Sequence, residues 1–181
     1  MSRSIVFSFG EYYHCYNRGT DKREIFLDKK DHQRFISLLY ACNSLTPVHV
    51  SNFKATKYKD FFSLRRGDAL VAIGSYCLMP NHFHLLLKEV YVGGISKFMQ
   101  KVMTAYTMYF NKKYERTGSL FESRFKAEHG DKDSYLKYLF SYIHLNPIKL
   151  IQSDWKYVGI KDRVKAKRFL DAYTYSSYAD Y

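Results

Sequence analysis

Two histidines one residue apart are the side chains of this sequence best placed to bind a metal ion. His82 and His84 follow Pro80 in an apolar run that is typical of a β-strand. Because successive side chains of a strand point to opposite faces, both imidazoles lie on one face and Phe83 lies on the other. Surface histidines that bind no metal are the simpler interpretation of a lone His-x-His pair. The flanking apolar residues favour a metal site here, because their burial fixes the direction of both rings.

A tyrosine and an asparagine on a predicted helix supply two further groups. Tyr142 and Asn146 are four residues apart, so a phenol and an amide oxygen lie one turn apart on one helical face. Two imidazoles, an oxygen ligand and a tyrosine are sufficient to break a phosphodiester bond covalently. A phenol with a pKa of about 10 is a weak nucleophile at neutral pH, so it needs a nearby cation or base. A divalent ion would polarise the phosphorus and neutralise developing charge.

Other tyrosines and histidines compete for these roles. Tyr135 and Tyr138 share the helical face of the proposed nucleophile, but neither is followed four residues later by an oxygen ligand. His129 and His144 could replace a metal ligand, although His144 points to the opposite side of its helix and suits packing or DNA contact better. His14, on the first predicted strand, is interpreted as a structural residue with a smaller claim to DNA contact.

The composition predicts a polyanionic partner. Lys plus Arg number 29 against 17 Asp plus Glu, which gives a net charge of +12 and a pI of about 9.5. Aromatic residues make up 18% of the chain, and cations interleaved with aromatic rings suit single-stranded nucleic acid. A basic, solvated surface over an aromatic core is the alternative. The predicted phosphate contacts are Arg18, Lys112, Lys113, Arg116, Arg124, Lys126 and Lys149.

The elements that must position these residues follow from periodicity. Strand patterns cover residues 11–17, 69–78, 82–89 and 120–128, and helical patterns begin near Asp28 or Asp31, Gly94 or Ser96, and Asp131 or Asp133. This order predicts an α+β, ferredoxin-like split βαβ sandwich, with an antiparallel sheet, helices on one face and an added C-terminal helix that carries the nucleophile. Strand 82–89 should lie in the middle of the sheet, with its imidazoles facing that last helix.

The chain length fits one domain over residues 1–150, with 43–68 as an insertion and 151–181 as a basic, tyrosine-rich extension. The three cysteines form no CxxC pair and are expected to be buried thiols. No apolar segment has the length of a leader or a membrane span, so we expect a cytoplasmic protein without a membrane partner.

Four sequence blocks resemble one family. The blocks are 13–19, 79–87 (MPNHFHLLL), 117–126 (TGSLFESRFK) and 142–149 (YIHLNPIK). Their order and content resemble the single-tyrosine HUH transposases, that is, the insertion-sequence two-hundred-like group and its REP-associated relatives. The resemblance covers roughly residues 10–150, and the blocks are highly specific as a set.

This resemblance implies a metal-dependent enzyme that nicks and rejoins single-stranded DNA. It implies that His82 and His84 hold Mg²⁺ or Mn²⁺ and that Tyr142 forms a 5′-phosphotyrosine. Relatives place a Gln as third ligand, where this chain has the shorter Asn146. The resemblance further implies a homodimer that recognises a DNA hairpin beside the cleaved strand. No nucleotide cofactor is expected, because the phosphotyrosine conserves the energy of the broken bond.

Two other functions are compatible with these residues. One is a non-catalytic module of split βαβ fold that binds single-stranded RNA or DNA. Such modules use aromatic residues on their central strands, whereas the central strand here carries His-x-His. The other is a metal nuclease that uses water instead of Tyr142, and a Tyr142→Phe variant would distinguish it.

Overall fold

The computed structural model describes residues 5–46 and 58–181. Its core is a sheet of four antiparallel strands in the order β2-β3-β1-β4. The strands are β1 (Tyr12–Arg18), β2 (Val71–Met79), β3 (His82–Glu89) and β4 (Lys126–His129). The helices are α1 (Lys29–Ala41), α2 (Gly94–Lys113), α3 (Asp133–Leu145), α4 (Trp155–Val158) and α5 (Arg163–Ala172), with 3₁₀ turns at Thr20–Lys22, Tyr58–Ser63, Asn146–Leu150 and Ser177–Asp180.

The two faces of the sheet are covered by different helices. Phe83 and the alternate leucines of β3 are buried against α1 and α2, where Phe35 and Phe98 belong to the same apolar core. Leu86 points to the other face and packs with Ile143 of α3. The predicted α+β, ferredoxin-like arrangement is therefore confirmed, with β3 inside the sheet and α3 as the added helix.

A buried carboxylate joins α1 to α2. Asp28 and Asp31 form a reciprocal capping box at the start of α1. Asp31 is fully buried, and it accepts hydrogen bonds from Lys113 (2.7 Å), Tyr109 (3.0 Å) and Tyr114 (2.7 Å). Burial alone would raise the pKa of Asp31, but the bonds from Lys113 and Tyr114 hold this pKa below its ordinary value. The cluster fixes the C-terminal end of α2 against the N-terminal end of α1.

One strand prediction was wrong in most of its length. Residues 120–128 were expected to form a strand, but β4 covers only Lys126–His129. Leu120, Phe121 and Phe125 are buried side chains of the segment before it, and Phe121 forms a single β-bridge with Gly19. These apolar side chains are buried although their segment is an irregular loop, which pairs with the chain after β1 only around Phe121.

The proposed insertion at 43–68 falls partly on residues 47–57, which lie outside the described residues. Its first residue is tied to the sheet, because the Asn43 side chain accepts hydrogen bonds from Leu70 N (2.8 Å) and Val71 N (3.0 Å) and donates to Val71 O (2.8 Å).

The C-terminal extension binds the free side of β2. The backbone of Tyr175 accepts a hydrogen bond from Leu78 N (2.9 Å), and the Tyr173 hydroxyl donates to Leu78 O (2.6 Å). The Tyr175 ring stacks on His32 of α1 with ring centres 3.7 Å apart. The extension is therefore packed against the folded domain.

Two of the three cysteines are buried as predicted. Cys15 and Cys77 are buried and Cys42 is half-buried, and none of the three forms a disulfide bond within the described residues. In the part of the chain that the structure describes, no helix combines the length and apolarity that crossing a membrane requires.

Candidate active site

The sheet places the histidine pair on the face that α3 covers. His84 lies opposite Tyr16 of β1, and His82 lies opposite Arg18. The centres of the two imidazole rings are 5.0 Å apart. His84 is 7% exposed, whereas His82 is half-buried at the end of the strand. Alternation along β3 therefore brings both rings to the same surface.

Helix α3 brings the tyrosine to the same place. The ring of Tyr142 lies 5.6 Å from the ring of His84 and 6.0 Å from the ring of His14, centre to centre. Pro147 ends the helix, and Asn146 at its C-cap is fully buried. The oxygen of the Asn146 amide has no hydrogen-bond partner among the described residues. A buried acceptor without a partner is costly, so its position next to the tyrosine indicates a place for a ligand.

Neighbouring side chains orient both imidazoles. His82 Nδ1 lies 2.6 Å from the amide oxygen of Asn81, which only accepts, so Nδ1 carries the proton and Nε2 keeps its lone pair. His84 Nδ1 lies 2.8 Å from His14 Nε2. When His84 donates in this bond, its Nε2 is also free to bind a metal ion. His14 Nδ1 is 3.9 Å from the Glu128 carboxylate, too far for a hydrogen bond.

The electrostatics keep the imidazoles neutral. Burial lowers the pKa of His82 to about 4, helped by the positive charges of Lys149 and Arg18. Burial also holds the pKa of His84 well below its ordinary value, and the two neighbouring histidines lower it further. Burial lowers the pKa of His14 to about 4 against the opposing effect of Glu128. Neutral imidazole is the form that binds metal ions.

The donor set fits a metal ion with nitrogen and oxygen ligands. No three His, Cys, Asp or Glu side chains in the described ranges are grouped for metal binding. The unpartnered amide oxygen of Asn146 is a candidate for a third ligand of another type. Oxygen ligands suit Mg²⁺ and Mn²⁺, and imidazole accepts a wider range of metal ions.

Two lysines surround the phenol. Lys156 Nζ lies 3.9 Å from the centre of the Tyr142 ring, and Lys149 lines a cleft together with Tyr142. Burial alone would raise the pKa of Tyr142, but Lys156, Asn146 and Lys149 together hold this pKa below its ordinary value. Lys156 belongs to α4, in the extension, and sequence reasoning missed it.

The histidine pair and Tyr142 line a cleft of about 360 Å³. Three of the predicted phosphate contacts, Arg18, Lys126 and Lys149, line it with them. Arg18 also pairs with Glu122, with its Nη2 3.0 Å from the carboxylate. Lys22, which was not predicted, is a further cation of the cleft.

The other four predicted phosphate contacts do not line this cleft. Lys112 and Arg124 are exposed. Arg116 lies over the Phe110 ring, with 5.7 Å from its guanidinium carbon to the ring centre. Lys113 is bound to Asp28 and Asp31 at the base of α1, so its charge is neutralised within the fold.

The remaining histidines have separate environments. His129 pairs with Glu11 at 3.0 Å on the surface. His144 is buried, and its Nε2 lies 2.8 Å from the Ser177 hydroxyl, so it is a packing residue. His14, interpreted from sequence as structural, bonds to a proposed metal ligand instead. Only the register between β1 and β3 reveals this contact, and no local pattern encodes that register.

The fold and the site together define a ferredoxin-like α+β protein in which a tyrosine faces a histidine pair in a basic cleft. The family model described as "Transposase IS200 like" matches residues 8–146, and the chain belongs to this family. The resemblance predicted from the four sequence blocks is confirmed.

A solved structure supports the same fold. The structure of a REP-associated tyrosine transposase bound to a REP hairpin superposes with a TM-score of 0.63 over 99% of this chain and 84% of that chain. The two sequences are 12% identical, so this similarity shows the fold. Comparison with curated proteins gave no match.

Proposed function

We propose that this transposase-family protein cleaves single-stranded DNA through a covalent 5′-phosphotyrosine and rejoins the strand, in DNA transposition or repeat mobilisation. One observation carries the proposal. The phenol of Tyr142 and two neutral imidazoles line one cleft together with cations, and the unpartnered amide oxygen of Asn146 lies one helical turn from Tyr142. Neither a structural core nor a simple binding surface requires this combination.

The proposed reaction exchanges one ester bond for another. The phenol oxygen of Tyr142 attacks the phosphorus, and the bond from phosphorus to the 3′ oxygen breaks. The 3′ oxygen gains a proton and leaves as a hydroxyl, while the phenol loses its proton to solvent. Attack by a 3′ hydroxyl on the phosphotyrosine reverses these steps, so the strand is rejoined without an external energy source.

The surrounding side chains have distinct roles in this proposal. His82, His84 and Asn146 would hold Mg²⁺ or Mn²⁺, which when bound supplies positive charge for the nonbridging phosphate oxygens. Lys156 favours the deprotonated phenol, and Lys149 and Lys126 attract the strand.

The proposed DNA ligand includes a hairpin beside the cleaved strand. The structurally similar tyrosine transposase was solved with a REP hairpin. The net charge of +12 favours any such polyanion. A homodimer remains the expectation from the family resemblance.

A phenol-to-phenyl substitution tests the mechanism. Wild-type protein is incubated with Mn²⁺ and labelled single-stranded oligonucleotides that carry imperfect palindromes from the flanks of its own gene. We expect a labelled protein band that survives denaturation, its loss in Tyr142→Phe, and its retention in Tyr135→Phe and Tyr138→Phe.

The same assay separates the alternatives. Cleavage that persists in Tyr142→Phe without an adduct would indicate a water-using nuclease. Tight binding with neither cleavage nor adduct, over a panel of palindromes and both metal ions, would indicate a binding module.

A further inference from the structure

Three tyrosine rings of α3 form a continuous row that starts at the cleft. The centres of Tyr138 and Tyr142 are 5.8 Å apart with 22° between their planes, and those of Tyr135 and Tyr138 are 6.1 Å apart with 16°. Their spacing of three and four residues places them on one helical face. We name this row the tyrosine stack. The proposed reaction uses only Tyr142 from it.

The middle ring is unusually accessible. Tyr138 is 58% exposed, while Leu139 beside it is buried against the sheet. Its hydroxyl has no hydrogen-bond partner in the described part of the chain. Packing of the core therefore accounts for Leu139 but not for Tyr138, which presents ring surface to the solvent next to the nucleophile.

The outer ring of the stack is held in place. The Tyr135 hydroxyl donates to the carboxylate of Glu128 at 3.0 Å, and the Tyr16 hydroxyl donates to the other oxygen of this carboxylate at 2.9 Å. The anchor ties α3 to β1 and β4. Rings that are already fixed lose little conformational entropy when a flat ligand stacks on them.

The two ends of the tyrosine stack have neighbours of opposite charge. Lys156 lies over the Tyr142 ring at the cleft end. At the other end, Glu128 is bonded to Tyr135 and Asp131 lies close enough to affect its titration. Lys156 therefore favours a phosphate at the Tyr142 end of the stack.

We propose that the tyrosine stack is a subsite for unpaired bases that flank the phosphate attacked by Tyr142, with Tyr138 as the ring on which a base stacks. The inference rests on the proposed function for its ligand, single-stranded DNA. Each nucleobase has a flat π face, so the subsite tolerates different sequences. It contributes affinity near the reacting phosphate without reading the bases.

The test compares two probes of equal charge, a fluorescein-labelled oligothymidylate and a base-free deoxyribose phosphate chain of the same length. Affinities are measured by fluorescence anisotropy without metal ions, so that no cleavage occurs. Tyr138→Ala should weaken binding of oligothymidylate by about tenfold. It should leave binding of the base-free chain unchanged, because the phosphate contacts remain.

Two variants complete the experiment. Tyr138→Phe keeps the ring and should bind both probes like the wild type, and Tyr91→Ala removes a 44% exposed tyrosine beyond the far end of β3 and should also have no effect. The inference is overturned if Tyr138→Ala weakens both probes equally or neither, or if the wild type binds both probes alike. These outcomes are independent of adduct formation, so a failure here is distinguishable from a failure of the proposed reaction.

Discussion

The hydrogen bond between His14 and His84 allows the metal site to be tested without changing a proposed ligand. His14→Ala removes this bond at 2.8 Å and leaves His84 free to rotate. We expect the affinity for Mn²⁺, measured by isothermal titration calorimetry, to fall about 10- to 100-fold, as for other residues that orient a ligand. His129→Ala removes a surface histidine of β4 and should leave the affinity unchanged. Equal affinities for all three proteins would show that His14 does not orient His84 for metal binding.

Local patterns in the sequence were sufficient for part of the site and insufficient for the rest. Strand alternation grouped His82 with His84, and helical spacing grouped Tyr142 with Asn146. His14 and Lys156 depend on strand register and on the path of the chain after residue 150. Neither is encoded by short-range periodicity, so only the folded structure brings them to the phenol.

At the scale of elements, the carboxylate of Asp31 is the main polar link between α1 and α2. Asp31→Asn leaves Lys113 without its buried partner, and we expect a loss of about 3 kcal/mol in the free energy of unfolding at pH 7. The folded-state pKa of Asp31 lies below its ordinary value, so its stabilisation is present above about pH 4 and is lost as the pH falls through the folded pKa.

Urea unfolding at several pH values measures this dependence. The difference in stability between the wild type and Asp31→Asn should be constant near neutrality and shrink below about pH 4. Asp171→Asn, which breaks an exposed ion pair with Lys167 at 2.8 Å, serves as the control and should change little. A difference that grows toward acid would contradict the assigned direction of the pKa shift.

The sequence predicted most elements because their patterns are long and regular. Strand 82–89 matches β3, and the helix carrying Tyr142 ends before Pro147 as expected. The prediction of a strand over residues 120–128 was wrong because a loop that buries three apolar side chains has the composition of a strand. The C-terminal extension lacks an extended apolar stripe, so its attachment to β2 could not be predicted.

At the scale of the whole molecule, the extension belongs to the same folded unit as the family domain. The family match ends at residue 146, yet Lys156 and the residues bonded to β2 lie beyond it. A chain ending at residue 150 should lose at least about 5 °C in Tm by circular dichroism, since each kcal/mol corresponds to about 2–4 °C at this size.

A single substitution separates the charge of Lys156 from the packing of the extension. Lys156→Ala in the full chain should keep the wild-type Tm and form the phosphotyrosine adduct more slowly. An unchanged Tm in the shortened chain would show that the extension is not part of the folded unit.

The outer strands of the sheet also have a consequence for quaternary structure. β4 has only four residues, two of which are Lys126 and Glu128, and the extension is bonded to the free side of β2. Edge strands that are short, charged or covered resist pairing with a further strand. A second copy of the chain would therefore associate through helices or loops, and the expected homodimer would keep two separate sheets.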